Sequence, residues 1–379
     1  MKYFTCFILI LIYLSISNLQ NVEGCTAFCL AKKGNYVLAG KNLDWPIGDG
    51  FIVINKKGVP KQALVNPGEK PAQWITKFGS VTFNQFGKGF PLGGMNEMGL
   101  VVEELSYSPS IYPTNISLYC LNELQWIQYQ LDNYHSVEEV IKNLSRVQIS
   151  KFLFGLHYFI CDRFGNTVVI EFIEGKTLVY SGTELPFQVL TNNTYANSIK
   201  YIKKHKGFGG TLIVRNGPES PERFVRTAGL VRNYLQSASI PPVDYAFHVL
   251  ANVRQLDTQW SIVYDTIALK ISFSTKDGPN INTLNLKAID FTTRSTKTYS
   301  LIGDKFNSKN FMSSFSLFNP NKNQELITRV FNKMVQLEEI DSDVAASLRE
   351  KLLKYQQVSL DYSRVEVAAD ARKIVNRKW

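Results

Sequence analysis

The chain has 379 residues, 45% of them apolar, with 42 Lys and Arg against 32 Asp and Glu for a formal net charge of +10. That hydrophobicity excludes a disordered chain, and 24 Gly and 14 Pro are ordinary shares that exclude collagen-like and low-complexity sequence. The basic surplus is scattered, and its densest group, Lys203-Lys204-His205-Lys206, is too small for a nucleic-acid footprint, so no nucleic-acid partner is expected.

In chain order, Lys2 is followed by an apolar run from Tyr3 to Ile16 and a polar stretch from Ser17 to Glu23. This reads as a secretory signal over residues 1–24, cleaved after Gly24. The run is short for a membrane span, so the mature chain is expected to be secreted or periplasmic, or lumenal in a eukaryotic host, with no stable membrane insertion.

From Cys25 onward short β-prone runs follow one another: Cys25 to Ala31, Tyr36 to Trp45, Phe51 to Asn55, Gly79 to Phe83 and Leu100 to Leu105, separated by Gly, Pro, Asn and Lys turns. Asn96 and Gly99 are placed in a tight turn. Helical spacing appears over Leu118 to Leu131 and Val137 to Leu144, the second with Ser136 as cap and Glu139 three residues on. Strands return at His157 to Cys161, Thr167 to Phe172 and Phe187 to Leu190. Ser220 as N-cap and Pro221 at the first position open a helix whose apolar face is Phe224, Ala228, Val231 and Leu235. Ile262 to Phe273 reads as one long strand, Ile281 to Leu286 as another. After Pro320 two amphipathic helices follow, marked by Leu326, Val330 and Met334 and by Val344, Leu348 and Leu352. The pattern is α+β with mainly antiparallel sheets: one domain over 25–320 and a helical extension, 321–379, packed on it. A four-layer αββα sandwich fits, although periodicity alone does not select it.

Four cysteines remain after Gly24, without the C-x-x-C spacing of zinc sites. Cys29, Cys120 and Cys161 lie among apolar neighbours and read as buried small hydrophobes. Cleavage after Gly24 would give Cys25 a free α-amine, whose reference pKa of about 7.7–8.0 suits a general base where a Lys amine does not. Nucleophile and base are then one residue. The four histidines sit in unpromising places: His248 falls on a helix read as buried, His157 in an apolar strand, His205 in a Lys run and His135 beside a turn, and a papain-like Cys-His pair, the alternative, has no local signature. A structural thiol and a lipid-modified cysteine are the competing readings, and Glu23 argues against the second.

Taken alone, Asp44 reads as a strand-terminating residue, Asn192 as a turn former with Asn193, and Arg223 as a surface cation answered by Glu219 or Glu222. Asn115 and Asn143 are the better glycan acceptors. Together, Cys25-Thr26, Gly40-Lys41-Asn42-Leu43-Asp44-Trp45, Gly94-Met95-Asn96-Glu97-Met98-Gly99-Leu100, Leu190-Thr191-Asn192 and Arg223-Phe224 resemble, in order, the choloylglycine hydrolase family, which includes bile salt hydrolases and penicillin V acylases. The resemblance implies an N-terminal-nucleophile (Ntn) hydrolase of αββα fold that needs no cofactor or metal. In it Cys25 attacks an amide carbonyl, Asp44 holds the α-amine, Asn192 and the backbone N–H of Ser106 bind the oxyanion, and Arg223 supplies positive charge.

Lys41 departs from the family's usual Arg and loses its planar fork of donors. Because Lys41 and Asp44 are three residues apart, both reach Cys25 only if the strand bulges or ends between them. Phe28, Trp45, Phe83 and Tyr107 are the expected walls of an apolar acyl pocket. The short interval between Asn192 and Arg223 favours a small-molecule N-acyl amide substrate of the penicillin V acylase kind. A conjugated bile salt, an acid ceramidase-like substrate and a non-catalytic role are the alternatives. The resemblance is also compatible with a homo-oligomer.

Overall fold

A computed structural model describes residues 24–32, 35–236, 240–293, 295–302 and 311–364. Of the expected signal only Gly24 falls within these residues, and 365–379 of the tail lie outside them. In chain order the strands are β1 (Thr26–Lys32), β2 (Tyr36–Asp44), β3 (Phe51–Asn55), β4 (Pro60–Gln62), β5 (Gln73–Ile75), β6 (Ser80–Asn84), β7 (Pro91–Asn96), β8 (Val101–Ser106), β9 (Tyr119–Leu121) and β10 (Val147–Ile149). They continue with β11 (Leu156–Cys161), β12 (Thr167–Ile173), β13 (Lys176–Ser181), β14 (Val189–Thr191), β15 (Thr258–Asp265), β16 (Lys270–Thr275), β17 (Asn282–Asn285), β18 (Lys297–Ser300) and β19 (Ser316–Leu317). The helices are α1 (Glu123–Asn133), α2 (Val137–Lys142), α3 (Tyr195–Ile202), α4 (Ser220–Gln236), α5 (Pro242–Asn252), α6 (Pro320–Gln336) and α7 (Ser342–Arg364).

Two sheets carry the fold. One has six strands in the order β14-β1-β2-β15-β16-β17, the other nine in the order β13-β12-β11-β8-β7-β6-β3-β18-β19. Neighbours within both are antiparallel. Strands buried on both faces, such as β1, β3, β6 and β7, read as nearly continuous apolar or small-residue runs because each is sandwiched. Between the sheets Cys29 Sγ lies 3.2 Å from Cys161 Sγ, and Phe83 packs on Trp260 and Phe273. On the outer face of the six-stranded sheet Asn42 Nδ2 donates to the Leu250 carbonyl (2.9 Å), fixing α5, while α4 covers β14 and β1. On the outer face of the nine-stranded sheet lies α1, over β7 and β8. The result is the four-layer αββα sandwich.

The structure corrects several sequence readings. Ile262 to Phe273 is a hairpin, not one strand: its turn contains neither Gly nor Pro, and Leu269 takes the left-handed conformation (φ 58°) that ordinarily signals Gly. The segment read as a helix from Leu118 first forms β9, and Asn122 then caps α1 by accepting from the N–H groups of Leu124 and Gln125. Pro91-Leu92-Gly93-Gly94, which the sequence reading assigned to no element, is the heart of β7. Ser220 opens α4 as expected, yet its hydroxyl donates to Thr191 Oγ1 (2.9 Å), so it ties the helix start to β14 rather than capping it. His248 does fall on a helix, α5, but on its exposed side. Helix α6 starts at Pro320, capped by Asn319, and buries Leu326, Ile327, Val330, Phe331 and Met334. No helix among the described residues is long and apolar enough to cross a membrane.

Candidate active site

Cys25 sits at the start of β1, between the end of β2 and the end of β14. Thr26 pairs with Asn42 on one side and Thr191 on the other, and Ala27 pairs with Lys41. Cross-strand partners share a face and residues two apart in a strand do too, so Cys25, Ala27 and Lys41 all look into the space between the sheets. Cys25 is buried, 4% exposed. Strand β2 ends at Asp44, and its pairing with β15 slips between Thr258 and Trp260, opposite Leu43 and Asp44. Asp44, the last residue of β2, meets Cys25 at the cleft, where the pairing with β15 loses register. Thr258 Oγ1 donates to Asp44 Oδ1, while Asp44 Oδ2 is buried without a hydrogen-bond partner.

Arg223, in the first turn of α4, is fully buried and not a surface cation. Its Nε donates to the Pro218 carbonyl (2.9 Å), its Nη1 to the carbonyls of Gly24 (3.0 Å) and Cys25 (2.5 Å) and to Thr26 Oγ1 (2.7 Å), and its Nη2 to Asn192 Oδ1 (2.9 Å). A cation set against the field of its own helix is here held by carbonyl oxygens. Because Asn192 Oδ1 is taken, the Nδ2 group points the other way and donates to the Ser106 carbonyl (3.0 Å). The guanidinium thus locks the main chain around Cys25 and the orientation of the Asn192 amide together.

Lys41 is buried with two acids that the sequence reading passed over. Its Nζ donates to the Glu104 carbonyl and lies 3.6 Å from Glu104 Oε1 and 3.9 Å from Glu103 Oε2. Two adjacent carboxylates inside the apolar run Val101 to Leu105 were the signal available for them. Tyr264 donates its hydroxyl to Glu103 Oε1 (2.5 Å). Burial pushes the Glu103 carboxyl up to about 8, against the lowering pull of Lys41. Lys41 itself loses to burial but is held above its ordinary range by Cys25, Glu104 and the other acids. Burial also raises Asp44 to about 7, opposed by Arg223 and the Thr258 hydroxyl. With Gly24 still attached, burial pushes the Cys25 thiol up to about 12, opposed mainly by Lys41.

A cleft opens on this cluster, lined by Cys25, Asp44, Glu104 and Ser106 and walled by Leu43, Trp45, Phe86, Leu92, Phe154 and Leu156. Of the aromatic walls expected from sequence, Trp45 lines it. Phe28 does not, because three residues along β1 from Cys25 it points to the opposite face, its ring filling the space over Gly40. Phe83 belongs to the core between the sheets, and Tyr107 stacks on His157 (5.4 Å). Phe86 and Phe154 take the places assigned to them. Neither could be found by proximity to the motifs, since they reach the cleft from the β6–β7 and β10–β11 connections. No histidine lines the cleft, and no group of His, Cys, Asp and Glu among the described residues is placed to hold a metal.

The four-layer αββα sandwich built on these two antiparallel sheets is the fold of the Ntn hydrolases. The chain belongs to the choloylglycine hydrolase family of linear amide C–N hydrolases, whose pattern it matches over residues 25–299. It is 25% identical over 317 residues to a penicillin V acylase of Pectobacterium atrosepticum, covering 71% of this chain and 83% of that protein. Among solved structures it resembles a penicillin V acylase from Agrobacterium tumefaciens at 24% identity and a TM-score of 0.68, over 78% of this chain and 98% of the other. It also resembles a mutant of the conjugated bile acid hydrolase from Clostridium perfringens, at 20% identity and a TM-score of 0.63, over 76% of this chain and all of the other.

Proposed function

We propose that the protein is an exported amidase whose leader, residues 1–24, is removed to expose Cys25, and that it hydrolyses small N-acyl amides with an apolar acyl group through a thioester on that residue. The observation that carries this reading is the buried, unpartnered Oδ2 of Asp44 beside Cys25. A carboxylate oxygen left unpaired there costs roughly 1–3 kcal/mol, and the α-ammonium created by cleavage is a donor of the right charge to repay it. The new cation also replaces a peptide group next to a thiol that burial otherwise holds near 12, and an adjacent positive charge lowers a thiol.

In the reaction, Cys25 Sγ attacks the amide carbonyl carbon while the α-amine takes the thiol proton. The oxyanion is received by the Ser106 backbone N–H and the second N–H of the Asn192 amide, whose first is committed to the Ser106 carbonyl. Collapse breaks the C–N bond, the α-ammonium gives its proton to the leaving nitrogen, and an acyl-thioester remains. Water then adds with the α-amine as base, and the carboxylic acid leaves as the thiol is restored. Lys41 stands under the thiol as a positive point charge held by Glu104, doing with one ammonium what a guanidinium would do with a fork. The apolar walls of the cleft suit an apolar acyl group, and the short interval between Asn192 and Arg223 favours one of the penicillin V kind over a conjugated bile acid.

The test has two parts. Mass spectrometry of the protein secreted by its host should find an unblocked Cys25 at the N-terminus; a diacylglycerol adduct or a start elsewhere rejects the reading. Cys25→Ser should lower turnover of penicillin V or another N-acyl amide by at least about 10³-fold with the melting temperature unchanged, and undiminished turnover rejects it equally.

A further inference from the structure

The cleft wall contributed by Phe86 is held from behind by the C-terminal helices, which lie beyond the matched family region of 25–299. Phe86 packs edge-to-face on Phe154 (5.4 Å), which itself meets Trp45 edge-on (6.5 Å), so the three rings form one side of the cleft. On its far side Phe86 meets Phe331 of α6 edge-to-face at 5.9 Å. The loop that carries Phe86 turns at Gly87 and Gly89, both with positive φ, 85° and 86°, and is tied within itself only at the Gly87 carbonyl, which accepts from Asn84 Nδ2 (3.0 Å) and the Phe90 N–H (3.3 Å). Its next residues are held from outside. Asn323 Oδ1 accepts from the Lys88 N–H (2.9 Å), and Gln356 Nε2 donates to the Lys88 carbonyl (2.7 Å). Ile327 lies so close over Gly87 that a Cβ there would fall 2.8 Å from its Cδ1. Phe90 packs on Tyr355 of α7 (5.4 Å). Both main-chain polar groups of Lys88 and the back of the Phe86 ring are thus answered by the extension.

We propose that α6 and α7 are a specificity element: by clamping the loop 85–90 they fix Phe86 and so set how long an apolar acyl chain the cleft accepts. This rests on reading the cleft as the acyl site of Cys25. Removing Phe331 leaves room behind Phe86, and a ring on a glycine-flanked loop moves into it, deepening the pocket toward α6. Removing the Asn323 side chain frees the Lys88 N–H and loosens the same wall without emptying the core.

The test uses the full chain and a graded series of alkyl methanethiosulfonates, from methyl to octyl. In each, a Cys25 thiolate displaces methanesulfinate and forms a mixed disulfide, located by peptide mass spectrometry. The ratio of octyl to methyl labelling rate at Cys25 cancels thiol reactivity and reports pocket length alone. Phe331→Ala and Asn323→Ala should each raise that ratio, the first by about tenfold, the order that a methylene or two decides in an apolar pocket. Lys351→Ala, on the exposed side of α7, should keep the wild-type ratio. If Phe331→Ala does not fold, Phe331→Leu with Asn323→Ala carries the comparison. Ratios unchanged in the folded variants, or shifted as much by Lys351→Ala, overturn the proposal. Because labelling needs no amide turnover, shifted ratios in the two variants beside a wild-type protein that hydrolyses no N-acyl amide would sink the function proposed above and leave the clamp on the cleft wall standing.

Discussion

Glu103 is an acid whose protonation the fold controls. Its carboxyl is buried between Lys41 and the Tyr264 hydroxyl and titrates at about 8 instead of 4.5. Between those values the unfolded chain releases a proton that the folded chain keeps, so the stability this group contributes is complete below pH 4.5 and is lost as pH rises toward 8. Asp44, raised from 3.8 to about 7, acts in the same direction over a lower window. Glu103→Gln keeps the shape and the neutral state at every pH. The slope of unfolding free energy against pH between 5 and 8 should therefore become shallower in the variant, by up to about 1.4 kcal/mol per pH unit for the one proton removed. Chemical denaturation at several pH values measures it, and parallel slopes for variant and wild type would show that Glu103 is ionised throughout.

At the scale of elements, β7 explains why a Gly-Gly pair survives in the middle of a sheet. Gly93 stands opposite Glu103 in register, and a Cβ on it would lie 2.2 Å from the Glu103 carboxylate. Gly93→Ala should cost about 1–3 kcal/mol by displacing that carboxyl group from between Lys41 and the Tyr264 hydroxyl, read as a lower denaturation midpoint; a loss under about 0.5 kcal/mol would mean the acid repacks freely. The same strand shows what was and was not legible in the sequence. Continuous apolar runs such as Phe51 to Asn55 and Thr167 to Phe172 announced their strands because burial on both faces demands them. A strand built of Pro, Gly and Gly carries no such mark, since its glycines answer to the Glu103 carboxyl group 10 residues away in the chain and to the Val81 carbonyl of β6. For the site, Cys25, Lys41, Asp44, Asn192 and Arg223 were legible as spaced motifs and the fold brings them together. Glu103 and Glu104 were visible only as charges out of place, and Thr258 and Phe86 had no local sign because a long-range pairing and a distant helix pair define their positions.

For the molecule as a whole, the extension behaves as part of the core. Leu326, Ile327, Val330, Phe331 and Met334 of α6 and Leu352 of α7 are buried, and Lys333 and Arg329 reach Asp49, with Arg329 Nη1 at 3.5 Å from its Oδ1. A chain ended after Phe318 loses this cover from Phe86 and Phe90. Its melting temperature should fall by roughly 5–10 °C, since a few kcal/mol shifts a domain of this size by that much. A truncated protein melting with the full chain would show the helices to be a peripheral attachment.

The site draws its parts from widely separated stretches: Thr26 pairs with Thr191 and Lys41 with Ile262, partners more than a hundred residues apart. Closing such loops is entropically slow, and proteins dominated by distant pairings are slow folders. The strand beside Cys25 is made before its partners β14 and β15 and must wait, with its apolar side chains uncovered, until they have been made. A newly made chain should therefore depend on holding chaperones through most of its synthesis, and no N-terminal fragment ending before β15 should show any activity of the whole.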